Sequence, residues 1–280
     1  MLRRISLVCF ALIVMLAVPE KWAAAQSSRL SNADLCNGMD RRSPESQIIG
    51  CSALIKSGVN TPKVLAMAYN NRGNAFSDIG EYERAIQDYA ESINLDSRDP
   101  KPLNNRGVAY QKRGEYDRAI EDFDAAIAID PSYANAFANR GETYQKKGKL
   151  ALALRDFDDA IRLRPALAAA WSERCWIHAL MGELQAALAD CNEAMRLEPN
   201  GAAATFDSRG FTYLKMGEWK SALADFNLAL RLDPKLASAR YGRGIAKLKT
   251  GDLAGGKADT AAAKAVEHDI EDKFHRYGVQ

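Results

Sequence analysis

Cys175 and His178 stand one helical turn apart, and Cys191 follows sixteen residues after Cys175. Thiolate and imidazole at such spacing could ligate zinc or sense redox state, but no fourth ligand is in view, and two nearby cysteines can equally form a disulfide. Gly251 to Lys257 reads G-D-L-A-G-G-K, close to a phosphate-cradling loop. That pattern requires Ser or Thr where Ala258 stands, and no strand precedes it. The three histidines, His178, His268 and His275, form no H-E-x-x-H pair, and no G-x-S-x-G occurs. No catalytic residue, no metal site and no cofactor is therefore expected. The most regular charged feature is repetitive. Arg72, Arg106, Arg140, Arg174, Arg209 and Arg243 are each followed sixteen residues later by Asp88, Asp122, Asp156, Asp190, Asp225 and Asp259. An active site does not occur six times at a fixed period. The planar guanidinium fork suits a carboxylate, so the pairs are expected to join neighbouring helices as a structural ladder, the alternative being charged rims on separate faces.

The ladder belongs to a longer repeat. Gly80, Gly114, Gly148, Gly182, Gly217 and Gly251 recur every 34 residues, with a single step of 35. Seven residues before each stands a glycine, or Cys175 in the fourth unit, and five after each stands a small residue. Pro131, Pro165, Pro199 and Pro234 close four of the units. This pattern predicts a helix ending at a left-handed glycine, a second helix returning beside it, and a proline that stops the second. One such hairpin cannot bury its apolar faces without neighbours, which makes the fold an all-α stack.

Spacing and residue types together resemble the tetratricopeptide (TPR) repeat family over residues 66–270. The units run 66–99, 100–133, 134–167, 168–202, 203–236 and 237–270. The resemblance implies a right-handed α-solenoid of six TPR hairpins, with first helices lining a concave groove that binds a protein or peptide. Residues 26–43 read as a polar irregular segment, 44–65 as an N-terminal cap helix and linker. Val266, Ile270 and Phe274 continue one apolar stripe, so a long C-terminal cap helix is expected to reach Tyr277, with 271–280 as its end and tail.

Within repeat four, Cys175 replaces the small seam residue and Cys191 the aromatic found elsewhere (Tyr89, Phe123, Phe157, Phe226). That exchange suits an inter-helix disulfide, leaving Cys36 to tie the N-terminal segment to Cys51. At one groove position stand Asn71, Asn105 and Asn139, then Glu173; amides there suit an extended peptide backbone because they donate and accept. A neighbouring position reads Trp176, Phe211 and Ile245 in the last three repeats, with Leu214 and Leu248 beside them. Either these form an apolar docking surface or the C-terminal helix folds over them. A carboxylate clamp of the kind some family members use is not expected, since Asn70, Asn135 and Asn139 stand where Lys, Lys and Arg would be.

Arg3 and Arg4 precede an apolar run from Ile5 to Val18, and Ala23-Ala24-Ala25 precedes Gln26. This is the pattern of a secretory signal peptide over 1–25, implying export, most plainly to a periplasm, with no membrane span after cleavage. Its removal takes three basic residues and one acidic residue from 38 and 36, leaving a formally neutral chain. Such a balance argues against nucleic acid as a partner. The sequence therefore predicts an exported, non-enzymatic scaffold that holds a partner segment in its groove. Two alternatives remain: an assembly module using its convex face, or a thiol or metal sensor in repeat four.

Overall fold

The computed structural model describes residues 31–38, 43–58 and 61–279, so the expected signal peptide lies outside the described residues. Among the described residues the chain is helical throughout, without strands, and no helix is long and apolar enough to cross a membrane. Two helices open it, α1 (Asn32–Cys36) and α2 (Pro44–Lys56). Six hairpins follow: α3 (Pro62–Asp78) with α4 (Tyr82–Leu95), α5 (Pro100–Lys112) with α6 (Tyr116–Ile129), and α7 (Ala134–Lys146) with α8 (Leu150–Leu163). The last three are α9 (Ala168–Met181) with α10 (Leu184–Leu197), α11 (Ala203–Met216) with α12 (Trp219–Leu232), and α13 (Ala237–Thr250) with α14 (Leu253–Val266). A short α15 (Ile270–Arg276) ends the chain.

Each first helix stops at its periodic glycine, whose φ lies between 71° and 94° in all six hairpins. The next N–H then reaches back to the carbonyl five residues earlier, as Glu81 to Phe76 and Glu183 to His178, closing the helix end with a hydrogen bond. The inner glycines act differently. A Cβ on Gly73, Gly107 or Gly210 would come within 2.7, 2.6 or 2.9 Å of Tyr89, Phe123 or Phe226, so the aromatic of the second helix occupies the space a side chain would need. Successive first helices touch one another from α3 to α13, whereas the second helices α4 to α14 touch only first helices and the terminal segment. The first helices thus share one face, as the resemblance implied, and the second helices form the opposite one.

Three terminal details differ from the sequence reading. The segment expected to be irregular contains α1, nucleated by a capping box in which Ser31 and Asp34 satisfy each other's backbone N–H groups. Residues 62–65, expected as linker, belong to α3, which starts where Thr61 caps and Pro62 supplies the first helical position. The long C-terminal cap helix is not continuous. α14 ends at an extended Glu267, at the register where Asp96, Asp130 and Asp233 end the sibling helices, and without a proline. A continuous helix would keep Phe274 on the same outward course as Val266, which is 61% exposed. The break instead turns the chain back, so that Ile270, Phe274 and Val279 are buried.

Candidate functional site

The shared face of the first helices divides in two. Over repeats four to six the expected apolar docking surface is a filled core, which corrects the open-groove reading of Phe211, Leu214 and Ile245. Phe274 packs edge-on to Phe211 at 5.5 Å between ring centroids and to Tyr241 at 4.8 Å. Tyr277 meets Trp176 at 5.7 Å and Phe211 at 6.0 Å. Phe211 is left 1% exposed and Leu214 2%, while Ile245 is buried and Leu248 half-buried. The Glu271 carboxylate fastens the segment, accepting from Lys264 Nζ (2.6 Å) and the Tyr241 hydroxyl (3.3 Å). Trp176 keeps a half-buried ring at the edge of the filled region.

Over repeats one to three the asparagines form a one-way chain of side-chain amides. Asn139 Nδ2 donates to Asn104 Oδ1, Asn104 to Asn105, Asn105 to Asn70, Asn70 to Asn71, and Asn71 to the Cys36 carbonyl, at 2.8 to 3.3 Å. Asn105 also donates to Asn74, whose Oδ1 accepts from Tyr89 as well. The expected residues Asn71, Asn105 and Asn139 are therefore linked through Asn70 and Asn104 on the preceding position, neither of which the sequence assigned to this row. Beside them lies an open cleft of about 380 Å³ lined by Asn74, Ser77, Asp78, Tyr89, Asn105 and Val108.

Where the two halves meet, a cleft of about 470 Å³ opens between α7 and α9. Glu142, Gln145, Lys146, Glu173, Trp176 and Tyr277 line it. With its amide turned to suit both neighbours, Gln145 donates to Glu173 Oε2 at 3.0 Å and accepts from Trp176 Nε1 at 3.2 Å. Burial, reinforced by the nearby Glu142 charge, pushes the Glu173 carboxyl up to about 7. Burial also raises the Asp207 carboxyl to about 7, where the Ser238 hydroxyl donates to it. Glu173 was legible as the acidic member of the asparagine column. Tyr277 was not, because it comes from a different part of the chain.

Profiles described as TPR repeat match residues 73–114, 112–148 and 210–251, and one described as tetratricopeptide repeat matches 138–202. The chain belongs to the TPR family. Among solved structures, YrrB, a TPR protein with an unusual peptide-binding site, is 24% identical over 68% of this chain and 95% of its own, with a TM-score of 0.51. A TPR protein from Parabacteroides merdae aligns over 88% of this chain and 98% of its own at 18% identity and a TM-score of 0.64. A thermophilic TPR protein from Thermus thermophilus is 26% identical over 65% of this chain and 99% of its own, with a TM-score of 0.53. No curated protein matches.

The charged ladder lies between the two helices of each TPR hairpin. Every one of the six arginines grips its aspartate with Nε and Nη2, all at 2.7 to 2.8 Å. The hydrogen bond to Asp156 leads the effects that hold the Arg140 guanidinium charged more firmly than usual. Nη1 reaches a third helix in most repeats: Arg140 to Asp124, Arg174 to Asp158, Arg209 to Asn192 and Arg243 to Asn227. In repeat two the corresponding place holds Ala90, which offers no side-chain acceptor. The ladder thus also ties repeats three to six to their predecessors, and Arg72 Nη1 ties repeat one to Ser52 of α2.

The four cysteines among the described residues form two disulfides, Cys36–Cys51 between α1 and α2 and Cys175–Cys191 between α9 and α10. The second stands at the seam where hairpins one, two, three and five place a glycine against a ring. Sulfur bonded to sulfur is not free to ligate zinc, and His178 instead meets Glu183 at 2.6 Å. Among the described residues no group of three His, Cys, Asp or Glu is placed to hold a metal.

Proposed function

We propose that this TPR protein is an exported scaffold that holds an extended segment of a partner protein on the first-helix face of repeats one to four. One observation carries this reading: the face is filled by the chain's own α15 over repeats four to six, and left open and polar over repeats one to three. Asn70, Asn71 and Asn139 are half-buried and each donates one of its two side-chain N–H groups within the row, and Asn139 Oδ1 accepts none of these bonds, so the row has donors and an acceptor to offer a peptide backbone. Its regular spacing suits an extended segment, whose backbone groups also repeat. The peptide-binding site of YrrB supports peptide as the class of ligand for this fold. Two disulfides fit a compartment more oxidising than a cytoplasm, in keeping with export through the leader-like residues 1–25.

The test is to select binders from a random peptide library on the mature, disulfide-intact protein and map the best one by hydrogen exchange. Protection is expected on α3, α5, α7 and α9. Protection confined to α4, α6 and α8 would transfer binding to the opposite face and favour the assembly reading. Intact mass of the exported protein should place its N-terminus at Gln26; recovery of the full-length chain in the membrane fraction would overturn export with cleavage.

A further inference from the structure

The cleft between α7 and α9 has a composition that the rest of the first-helix face lacks. Two carboxylates, Glu142 and Glu173, share it with two aromatic rings, Trp176 and Tyr277. The rings are perpendicular, with centroids 5.7 Å apart, so they form adjacent walls rather than a closed stack. Glu142 has a counter-ion in Lys146, at 3.1 Å. Glu173 forms no salt bridge among the described residues; its one partner there is the neutral Gln145 amide. Lys146, paired with Glu142, also acts on Glu173 through space, so the cleft holds two carboxylates to one cation, a net negative charge against aromatic walls.

We infer that this cleft receives the cationic side chain of a lysine or arginine carried by the partner segment. The inference rests on the reading of this face as the binding face, and it adds the chemistry of one contact. An ammonium or guanidinium is attracted both by a carboxylate and by the faces of Trp and Tyr, and desolvation strengthens both effects. Neutral apolar side chains would leave the two carboxylates sharing the single Lys146 charge, and acidic ones would add a third negative group. The elevated Glu173 carboxyl is consistent with a site that ionises at a cost while empty and would be relieved of that cost by a bound cation.

Position argues for a peptide side chain over a free amine. Glu173 occupies on α9 the place that Asn71, Asn105 and Asn139 occupy on α3, α5 and α7. A backbone held along the amides is thus led directly to the carboxylate. The cleft is also bounded on its far side by Tyr277 of the terminal segment, which ends the open part of the groove. A single basic side chain at that end would fix the register of an otherwise sequence-tolerant backbone contact.

The test uses the peptides selected on the disulfide-intact protein. They are expected to share one Arg or Lys at a constant distance from the end protected by α9. Replacing that residue by citrulline or norleucine should weaken binding about tenfold or more, the low end of measured couplings between close charge pairs. Glu173→Gln should weaken the basic peptide by a similar factor, and the citrulline or norleucine exchange should then have little further effect. Gln keeps the shape and removes a charge that the fold disfavours, so the variant is expected to fold; Glu142→Gln, at the more exposed carboxylate, provides a second reading with a smaller loss. Asn105→Ala should weaken basic and neutral peptides alike. Selected peptides with no basic residue in common, or a full citrulline effect that persists in Glu173→Gln, would overturn the cationic site and leave the binding face standing. Failure to select any peptide, or protection only on the second helices, would overturn both.

Discussion

Phe274→Ala tests whether the terminal segment is a docked strap or an integral part of the solenoid. Phe274 is 2% exposed and makes edge-to-face contacts with Phe211 and Tyr241. Truncating a buried phenylalanine costs about 3–5 kcal/mol, including aromatic pairs worth roughly 0.5–1.5 each. Ordering each residue of the segment costs roughly 1–2 kcal/mol in conformational entropy, so its net docking energy is a small remainder after burial of Ile270, Phe274 and Val279. A loss of 3–5 kcal/mol, the same order estimate, exceeds such a remainder. The expected outcome is local release: residues 270–279 exchange amide hydrogens as fast as an unfolded peptide, while α3 to α8 retain their protection. The uncovered Phe211, Leu214 and Ile245 should bind an apolar dye. Unchanged exchange over 270–279 would refute Phe274 as the anchor. Simultaneous loss of protection across α9 to α14 would show that the segment is core, and that the reasoning from a separable strap is wrong.

Two further outcomes test the charged groups. Arg140→Ala should lower the unfolding free energy by about 1–3 kcal/mol by leaving Asp156 buried without its partner, whereas Arg162→Ala, in an exposed pair with Asp159, should leave thermal melts unchanged; equal melts for both would reduce the ladder to surface decoration. Asp207 has a folded-state pKa raised from 3.8 to about 7, so its ionisation penalty is absent below 3.8 and grows as pH rises to about 7. Asp207→Asn should therefore stabilise the protein at pH 8 and not at pH 3.5, measured by denaturant unfolding at each pH, and an equal effect at both would exclude the buried carboxylate as the cause.

What could be read in advance follows from how local each determinant is. The glycine period exposed every hairpin because a left-handed helix end and a seam too tight for Cβ both demand the same residue at fixed spacing. The arginine ladder was legible for the same reason, but only its first two hydrogen bonds. Its third partner, Asp124 for Arg140 or Asn192 for Arg209, sits in the preceding repeat and varies in type, so no pattern marks it. The amide chain was half visible: Asn71, Asn105 and Asn139 stand in register, whereas Asn70 and Asn104, at the preceding position, give way to Ala138 in repeat three. The end of α14 was missed because the reading looked for proline, while the sibling helices end at an extended residue that need not be proline. Closure of the apolar groove is a contact between residues about a hundred positions apart, Trp176 and Tyr277. Periodicity within one helix carries no record of such a contact.

The Cys175–Cys191 bond lies in the hairpin on which the open and filled halves of the face both depend. α9 carries Glu173 and Trp176 toward the cleft, and Trp176 also supports Tyr277 of the terminal segment. A solenoid is held mainly by nearest-neighbour contacts, so opening of one interior hairpin separates the repeats on either side. In repeats one, two, three and five, a glycine against a ring resists that opening through packing alone; repeat four has a covalent bond at the same seam. Chain entropy for a closed loop of about fifteen residues gives roughly 3 kcal/mol, near a hundredfold in an opening equilibrium. Reduction should thus raise amide exchange in α9 and α10 by up to about that factor. Exchange in α5 and α6, far from either disulfide bond, should stay unchanged under the same reductant. Equal increases in both hairpins would mean that reduction loosens the whole molecule, and no increase in either would mean that packing around Cys175 and Cys191 already suffices. Only a local increase supports the bond as the device that keeps the two halves of the face in register.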